Sequence, residues 1–301
     1  MKKIFAVLML LPLLLCCGCA AQAEETRLVA SFYPVYILAE NVLRDVPNVS
    51  LTSMTAPSTG CLHDYQLLTS DMRALSGAAG FLINGAGMET GFLPEIQAQL
   101  PGLAIVDCSQ GVALIAEDAE HAQEHPDHDH GEYNAHIWLA PQNAIQMVRN
   151  LESGLSALLP QQAEKIRQNA EEYIARLEAL DAELAAAIAA LPRKQIVTFH
   201  EAFPYFAKAY GLEVAAVVAL EPEEPLSPRM LAQVVEIVRA AGNPPLFADP
   251  QYASAALTAI SQETGAPIYT LDPLVTGDGG LTAYEDAMRS NLATLQQALG
   301  G

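Results

Sequence analysis

From Leu28 onward, short apolar runs alternate with stretches whose apolar residues recur every three or four positions. Leu28 to Phe32, Val49 to Thr52, Phe81 to Asn84 and Ala104 to Asp107 read as strands, with helices predicted over Val35 to Leu43, around Asp71 to Leu75 and between the last two strands. Strands separated by helices at this spacing predict βαβ units and a parallel sheet. The same alternation returns after Pro192. Gln195 to Phe199, Val214 to Val218, Leu246 to Ala248 and Ile268 to Leu271 are predicted strands; helices are expected over Arg229 to Ala240, Ala253 to Thr264 and Tyr284 to Leu299.

Between the two halves the period becomes purely helical. Gln142 to Leu158 stops at Pro160, and Gln161 to Leu191 then runs without Gly or Pro, with Ile166, Tyr173, Ile174, Leu177, Leu180 and Leu184 on one stripe. A helix of that length spans about 45 Å, the width of a domain. The stripe holds too few clean heptads for a coiled coil, so a rigid strut between two α/β lobes is the expectation.

Charge and the N-terminus narrow the setting. Met1-Lys2-Lys3 precedes an apolar run from Ile4 to Leu15, the pattern of a signal peptide and too short for a comfortable membrane span. The run ends in Cys16-Cys17-Gly18-Cys19-Ala20, which resembles a lipoprotein lipobox with Cys19 as the acylated residue; plain secretion is the alternative. A formal charge of -20 repels nucleic acid and anionic lipid and draws cations without choosing among them. Only Cys61 and Cys108 remain beyond the leader, and an exported compartment permits them to pair as a disulfide. Cys61 as a metal thiolate beside His63 is the other possibility.

The seven histidines divide into two groups. His121, His125, His128 and His130 crowd one acidic loop among Glu120, Glu124, Asp127 and Asp129. His63, His136 and His200 stand alone, roughly seventy residues apart, unlike the close-set ligands of zinc fingers or a metalloprotease helix. Neutral imidazole is the commonest nitrogen ligand for zinc, so a site made from these three has to be assembled by the tertiary fold. His200 and Asp272 each follow a predicted strand directly, where open parallel sheets place their ligand crevices. Asp64 and Glu201, next to histidines, are candidates for orienting imidazoles. Each signal alone has a bland counterpart: a packed histidine, or Asp272 opening a turn before Pro273.

Six stretches in order carry a resemblance. Ser31-Phe32-Tyr33-Pro34-Val35-Tyr36, His63-Asp64-Tyr65 with Asn84-Gly85-Ala86-Gly87-Met88-Glu89, His136-Ile137-Trp138-Leu139, Thr198-Phe199-His200-Glu201-Ala202-Phe203 and Leu271-Asp272-Pro273-Leu274 resemble the zinc and manganese solute-binding proteins of ABC transporters (the metal-binding cluster A-I family). The resemblance implies two α/β lobes, a long bridging helix and a metal in the cleft between the lobes. It implies His63, His136, His200 and Asp272 as ligands, and delivery to a membrane permease by a monomeric carrier. Ala140 departs from the aspartate often found after His-Ile-Trp-Leu, and Cys61-Leu62 from the Glu-Pro common before the first histidine.

The division expected is a signal peptide over 1–18, a tether over 19–27, an N-terminal lobe over 28–160 with the histidine loop at 117–132, a bridging helix over 161–191 and a C-terminal lobe over 192–301. Three imidazoles and a carboxylate suit tetrahedral Zn2+, whereas Mn2+, the alternative, prefers more oxygen. The histidine loop resembles loops of zinc-uptake members and is expected to capture zinc weakly. Imidazoles bind metal only when neutral, so affinity should fall as pH drops through about 6.5. A zinc hydrolase with Glu201 as general base is the rival from another class, but the chain has no His-Glu-x-x-His and no nucleophile elbow. A surface adhesin of the same fold is a third reading.

Overall fold

The computed structural model describes residues 25–62, 65–116, 132–218, 227–250 and 255–300. Two four-stranded parallel sheets carry the chain. The first holds β1 (Thr26–Ala30), β2 (Val49–Ser53), β3 (Gly80–Ile83) and β4 (Ala104–Asp107) in the order β2-β1-β3-β4. The second holds β5 (Gln195–Thr198), β6 (Glu213–Val217), β7 (Leu246–Ala248) and β8 (Ile268–Thr270) in the order β6-β5-β7-β8. The winding is the same in both halves. In each, the chain moves to one side of its first strand and then crosses to the other, so the switch points lie between β1 and β3 and between β5 and β7.

Parallel strands are covered on both faces, which is why they read as apolar runs rather than alternating ones. β5 and β7 show how period-two geometry divides two cores. Ile196 and Phe247 point into a large apolar cluster that also contains Leu28, Trp138, Leu184 and Leu299. Val197, Leu246 and Ala248 point the other way, into a smaller cluster with Val235 and Ile260.

The helices in chain order are α1 (Tyr33–Val42), α2 (Thr69–Leu75), α3 (Leu93–Gln99), α4 (Pro141–Leu158), α5 (Ala163–Ala189), α6 (Pro204–Tyr210), α7 (Pro228–Ala240), α8 (Ala255–Thr264) and α9 (Ala283–Leu299). The 27 residues of α5 make a rod of about 40 Å. Its buried stripe, Ile166, Tyr173, Leu177, Leu180, Leu184 and Ile188, packs along α4 and also against α1, α6 and α9. A helix shared among four partners is a bridge and not a coiled-coil strand. Within the stripe lies buried Asn169, whose amide donates to the carbonyls of Val42 (3.0 Å) and Arg44 (2.7 Å). Those carbonyls lie at and beyond the end of α1, where a helix has no partners of its own, so Asn169 fastens the strut to the first half.

The strand and helix pattern agrees with the sequence reading except at particular ends. β1 stops at Ala30, because Phe32 caps α1 and Pro34 occupies its first turn. The α6 helix was not anticipated. Its seven residues are too few to show a period, although Pro204 at its start and Gly211 at φ +67 after its end are the usual stop and start signals. Among the described residues, no helix is long and apolar enough to cross a membrane.

Candidate metal centre

The two switch points supply the centre's surroundings. Beyond β3, Asn84 turns the chain; its amide donates to the Ala135 carbonyl (2.9 Å) and so fixes the residue before His136. Buried Glu89 holds that turn by accepting from the N–H groups of Asn84 (2.8 Å) and Gly85 (3.0 Å). Burial pushes its carboxyl up to about 7, against the pull of those donors. Gly85 has φ +74, and a Cβ there would fall 2.0 Å from Asp107 Oδ1, so only glycine fits. This accounts for the Asn-Gly-Ala-Gly-Met-Glu stretch near the centre without making any of it a ligand.

Beyond β5 and β7 stand His200 and Asp249, and beyond β8 stands Asp272. Asp249 Oδ2 lies 3.4 Å from His200 Nδ1. A carboxylate beside one imidazole nitrogen orients the ring and raises its basicity as a ligand. Sequence reading missed Asp249, although the signal was present: an acid directly after an apolar strand, as with Asp272. The Asp272 carboxyl is raised mainly by burial, countered by the Leu274 N–H and reinforced by the negative charge of Asp249. Two carboxylates at the mouth of one sheet, one raising the other, make a place that favours a cation.

His136 and His200 come from different halves, and their rings meet edge to face with centroids 4.9 Å apart. His136 is fully buried, and the turn after it, Ile137–Leu139, is a single 3-10 turn. Asn134 sets its tautomer. The Asn134 amide nitrogen donates to the Glu201 carbonyl (2.9 Å), which leaves Oδ1 to accept from the His136 backbone N–H (3.0 Å) and to face Nδ1 (3.3 Å). The ring proton therefore sits on Nδ1, and Nε2 keeps its lone pair. The same segment is stitched to the second half at further points. Tyr205 donates to the Asn134 carbonyl (2.8 Å), Trp138 Nε1 to the Pro273 carbonyl (2.8 Å), and Tyr284 to the Trp138 carbonyl (2.7 Å).

Of the residues expected in the centre, His136 and His200 are together. Among the described residues, Asp272 is near Asp249 but outside the tight group of donor atoms from Cys61, His136 and His200, all within 4.8 Å of one another. His63, Asp64, the loop histidines His121, His125, His128 and His130, the signal peptide and Cys19 lie outside the described residues.

The expected disulfide between Cys61 and Cys108 is not formed. Cys108 is fully buried after β4, where burial first, then the charges of Glu89 and Asp107, hold its thiol well above its usual range. Cys61 is half-buried and its sulfur lies 3.3 Å from His136 Nε2. The compartment permits a disulfide; the Cys61 sulfur instead lies against His136.

Residues 28–298 match the family described as "Zinc-uptake complex component A periplasmic" (ZnuA). The chain is 30% identical over 313 residues to the zinc-binding lipoprotein AdcA of Streptococcus pneumoniae serotype 4 (strain ATCC BAA-334 / TIGR4), covering 99% of this chain but 61% of that protein. It therefore spans about three fifths of the length of AdcA. It is 28% identical over 289 residues to the high-affinity zinc uptake system protein ZnuA of Bacillus subtilis (strain 168), covering 93% of this chain and 89% of that one. The crystal structure of the Zn(II)-bound ZnuA-like domain of Streptococcus pneumoniae AdcA superposes with a TM-score of 0.77 at 26% identity, covering 92% of this chain and 100% of that one. A match over nearly the whole length of the chain, on the same two-sheet frame, settles its membership: this protein belongs to the zinc-uptake complex component A family.

Proposed function

We propose that this protein is the zinc-binding component of an ABC metal-uptake transporter. It captures the ion outside the membrane and delivers it to the permease, working as a monomer and held to the membrane through Cys19. The ion is cargo, and the protein binds it without chemical change. His63, His136, His200 and Asp272 are its ligands, with His63 and His136 from the lobe over 28–160 and His200 and Asp272 from the lobe over 192–301. Residues 161–191 bridge the lobes, and the histidine loop at 117–132 gathers zinc weakly before transfer.

One observation carries this reading. Two imidazoles separated by 64 positions in sequence face each other with centroids 4.9 Å apart, each with an oxygen beside Nδ1. Packing alone has no need to orient both rings in that way, whereas ligation does. The hydrolase alternative loses its footing because the family is one of transport.

The test is elemental analysis of the protein after dialysis against equimolar zinc and manganese, with His136→Ala and Asp272→Ala beside it. Zinc at one per chain, lost in His136→Ala and weakened in Asp272→Ala, is the expected result. A preference for manganese would replace zinc as the cargo, and full zinc retention by His136→Ala would end the assignment of that ligand.

A further inference from the structure

We propose that Cys61 is a metal ligand, so that the centre of this chain is a sulfur-containing one that favours zinc and other soft divalent ions over manganese. The inference rests on the transport reading above and concerns the shell around the same ion.

Three donor atoms, one each from Cys61, His136 and His200, lie within 4.8 Å of one another. Zinc bonds of about 2.3 Å to sulfur and about 2.0 Å to nitrogen at a tetrahedral angle place those two atoms about 3.5 Å apart. The observed separation of Cys61 Sγ from His136 Nε2 is 3.3 Å, which an ion entering between them would widen only slightly. The imidazole is already in the required tautomer, because Asn134 Oδ1 takes the Nδ1 side and Nε2 presents its lone pair to the sulfur. In the metal-free protein that lone pair accepts the thiol proton. When zinc enters, the S–H bond breaks, a zinc–sulfur bond forms, and the proton leaves to solvent; nothing is oxidised or reduced. Cys61 is half-buried, whereas the buried thiol of Cys108 stands outside the group.

The chemical consequence is selectivity. Thiolate suits zinc and cadmium, and manganese favours oxygen. Among the described residues, the group of donor atoms within 4.8 Å of one another holds the sulfur of Cys61 and not the carboxylate of Asp272.

The experiment loads the full chain with cobalt(II) under reducing, anaerobic conditions and records its absorption spectrum. The wild type and Cys108→Ser should show an intense thiolate-to-cobalt charge-transfer band in the near ultraviolet. Cys61→Ser and Cys61→Ala should lose it while keeping the weaker visible ligand-field bands of the imidazoles. In competition titrations, Cys61→Ser should lose about tenfold or more in zinc affinity with little change for manganese. Ligand-field bands without a sulfur band in the wild type would overturn the inference and leave the transport reading standing. Failure of every form to bind cobalt or zinc would overturn both. The absence of a sulfur band in the wild type decides against the inference even where a variant fails to fold.

Discussion

Asn134 is the residue whose replacement best separates binding from folding. It is buried at 2% exposure, and its side chain makes one donation and receives two. Asn134→Ala removes the bonds to the Glu201 carbonyl and the His136 backbone N–H, at about 1–3 kcal/mol each when buried. Apo stability should therefore fall by about 2–6 kcal/mol, or about 5–15 °C in Tm at a few degrees per kcal/mol. Loss of the oxygen beside Nδ1 also frees the imidazole to change tautomer, and supports of this kind cost about 10–100-fold in metal affinity when removed. That corresponds to about 1.4–2.7 kcal/mol. Asn134→Asp divides the two effects: it keeps an oxygen for His136 and loses only the donation to Glu201. Urea denaturation of the apo forms and zinc titration against a chelator measure each. The Ala variant should lose on both axes, and the Asp variant on stability alone. Wild-type zinc affinity in Asn134→Ala would refute the tautomer argument, whatever happens to its Tm.

Three further outcomes follow from the packing and the buried charges. Gly154→Ala gains up to about 1 kcal/mol in helix propensity, but its new Cβ would lie 2.6 Å and 2.9 Å from the two methyl carbons of Val106. Overpacking of that kind costs about 1–3 kcal/mol, so the variant should be less stable, and a double-mutant cycle with Val106→Ala should recover part of the loss. For Glu89, the folded state holds the proton up to about 7 against an ordinary value of 4.5. Its stabilising contribution is thus complete below about 4.5 and is lost as pH rises to about 7, a change on the order of 3 kcal/mol. Unfolding free energies at pH 5 and 7.5 should show that slope in the wild type and a flatter profile in Glu89→Gln, and equal slopes would contradict it. Trp138→Phe removes the donor to the Pro273 carbonyl. A buried carbonyl left unpaired costs about 1–3 kcal/mol, so the urea midpoint followed by circular dichroism should fall, and an unchanged midpoint would deny that bond any weight.

The frame was readable because parallel strands announce themselves as apolar runs and α5 carries its stripe over 27 residues. Short α6 has no such length, and it is marked only by its flanking Pro204 and Gly211. At the centre, position after a strand end identified His200 and Asp272, and the same rule applied to Leu246-Phe247-Ala248 would have produced Asp249. Asn134 could not be found that way, since its role depends on the Glu201 carbonyl 67 positions away. The cysteines mark the limit of reasoning from compartment. An oxidising exterior says that two thiols are free to pair, but only coordinates tell whether their sulfurs can meet.

The large apolar cluster runs without a break from Leu28 in the first strand to Leu299 in the last helix. Although the strand order repeats, the halves are not independent folding units: α9 ends the chain but shares its core with α5 and α1. A fragment beginning at residue 192 would expose the apolar face that α5 covers and should aggregate rather than fold. Hydrogen exchange should find its first cooperative opening in the smaller cluster of Val197, Val235 and Ile260, leaving the continuous core closed. The protein's weakest region would then be the outer flank of its second sheet, on the far side of that sheet from the bridging helix.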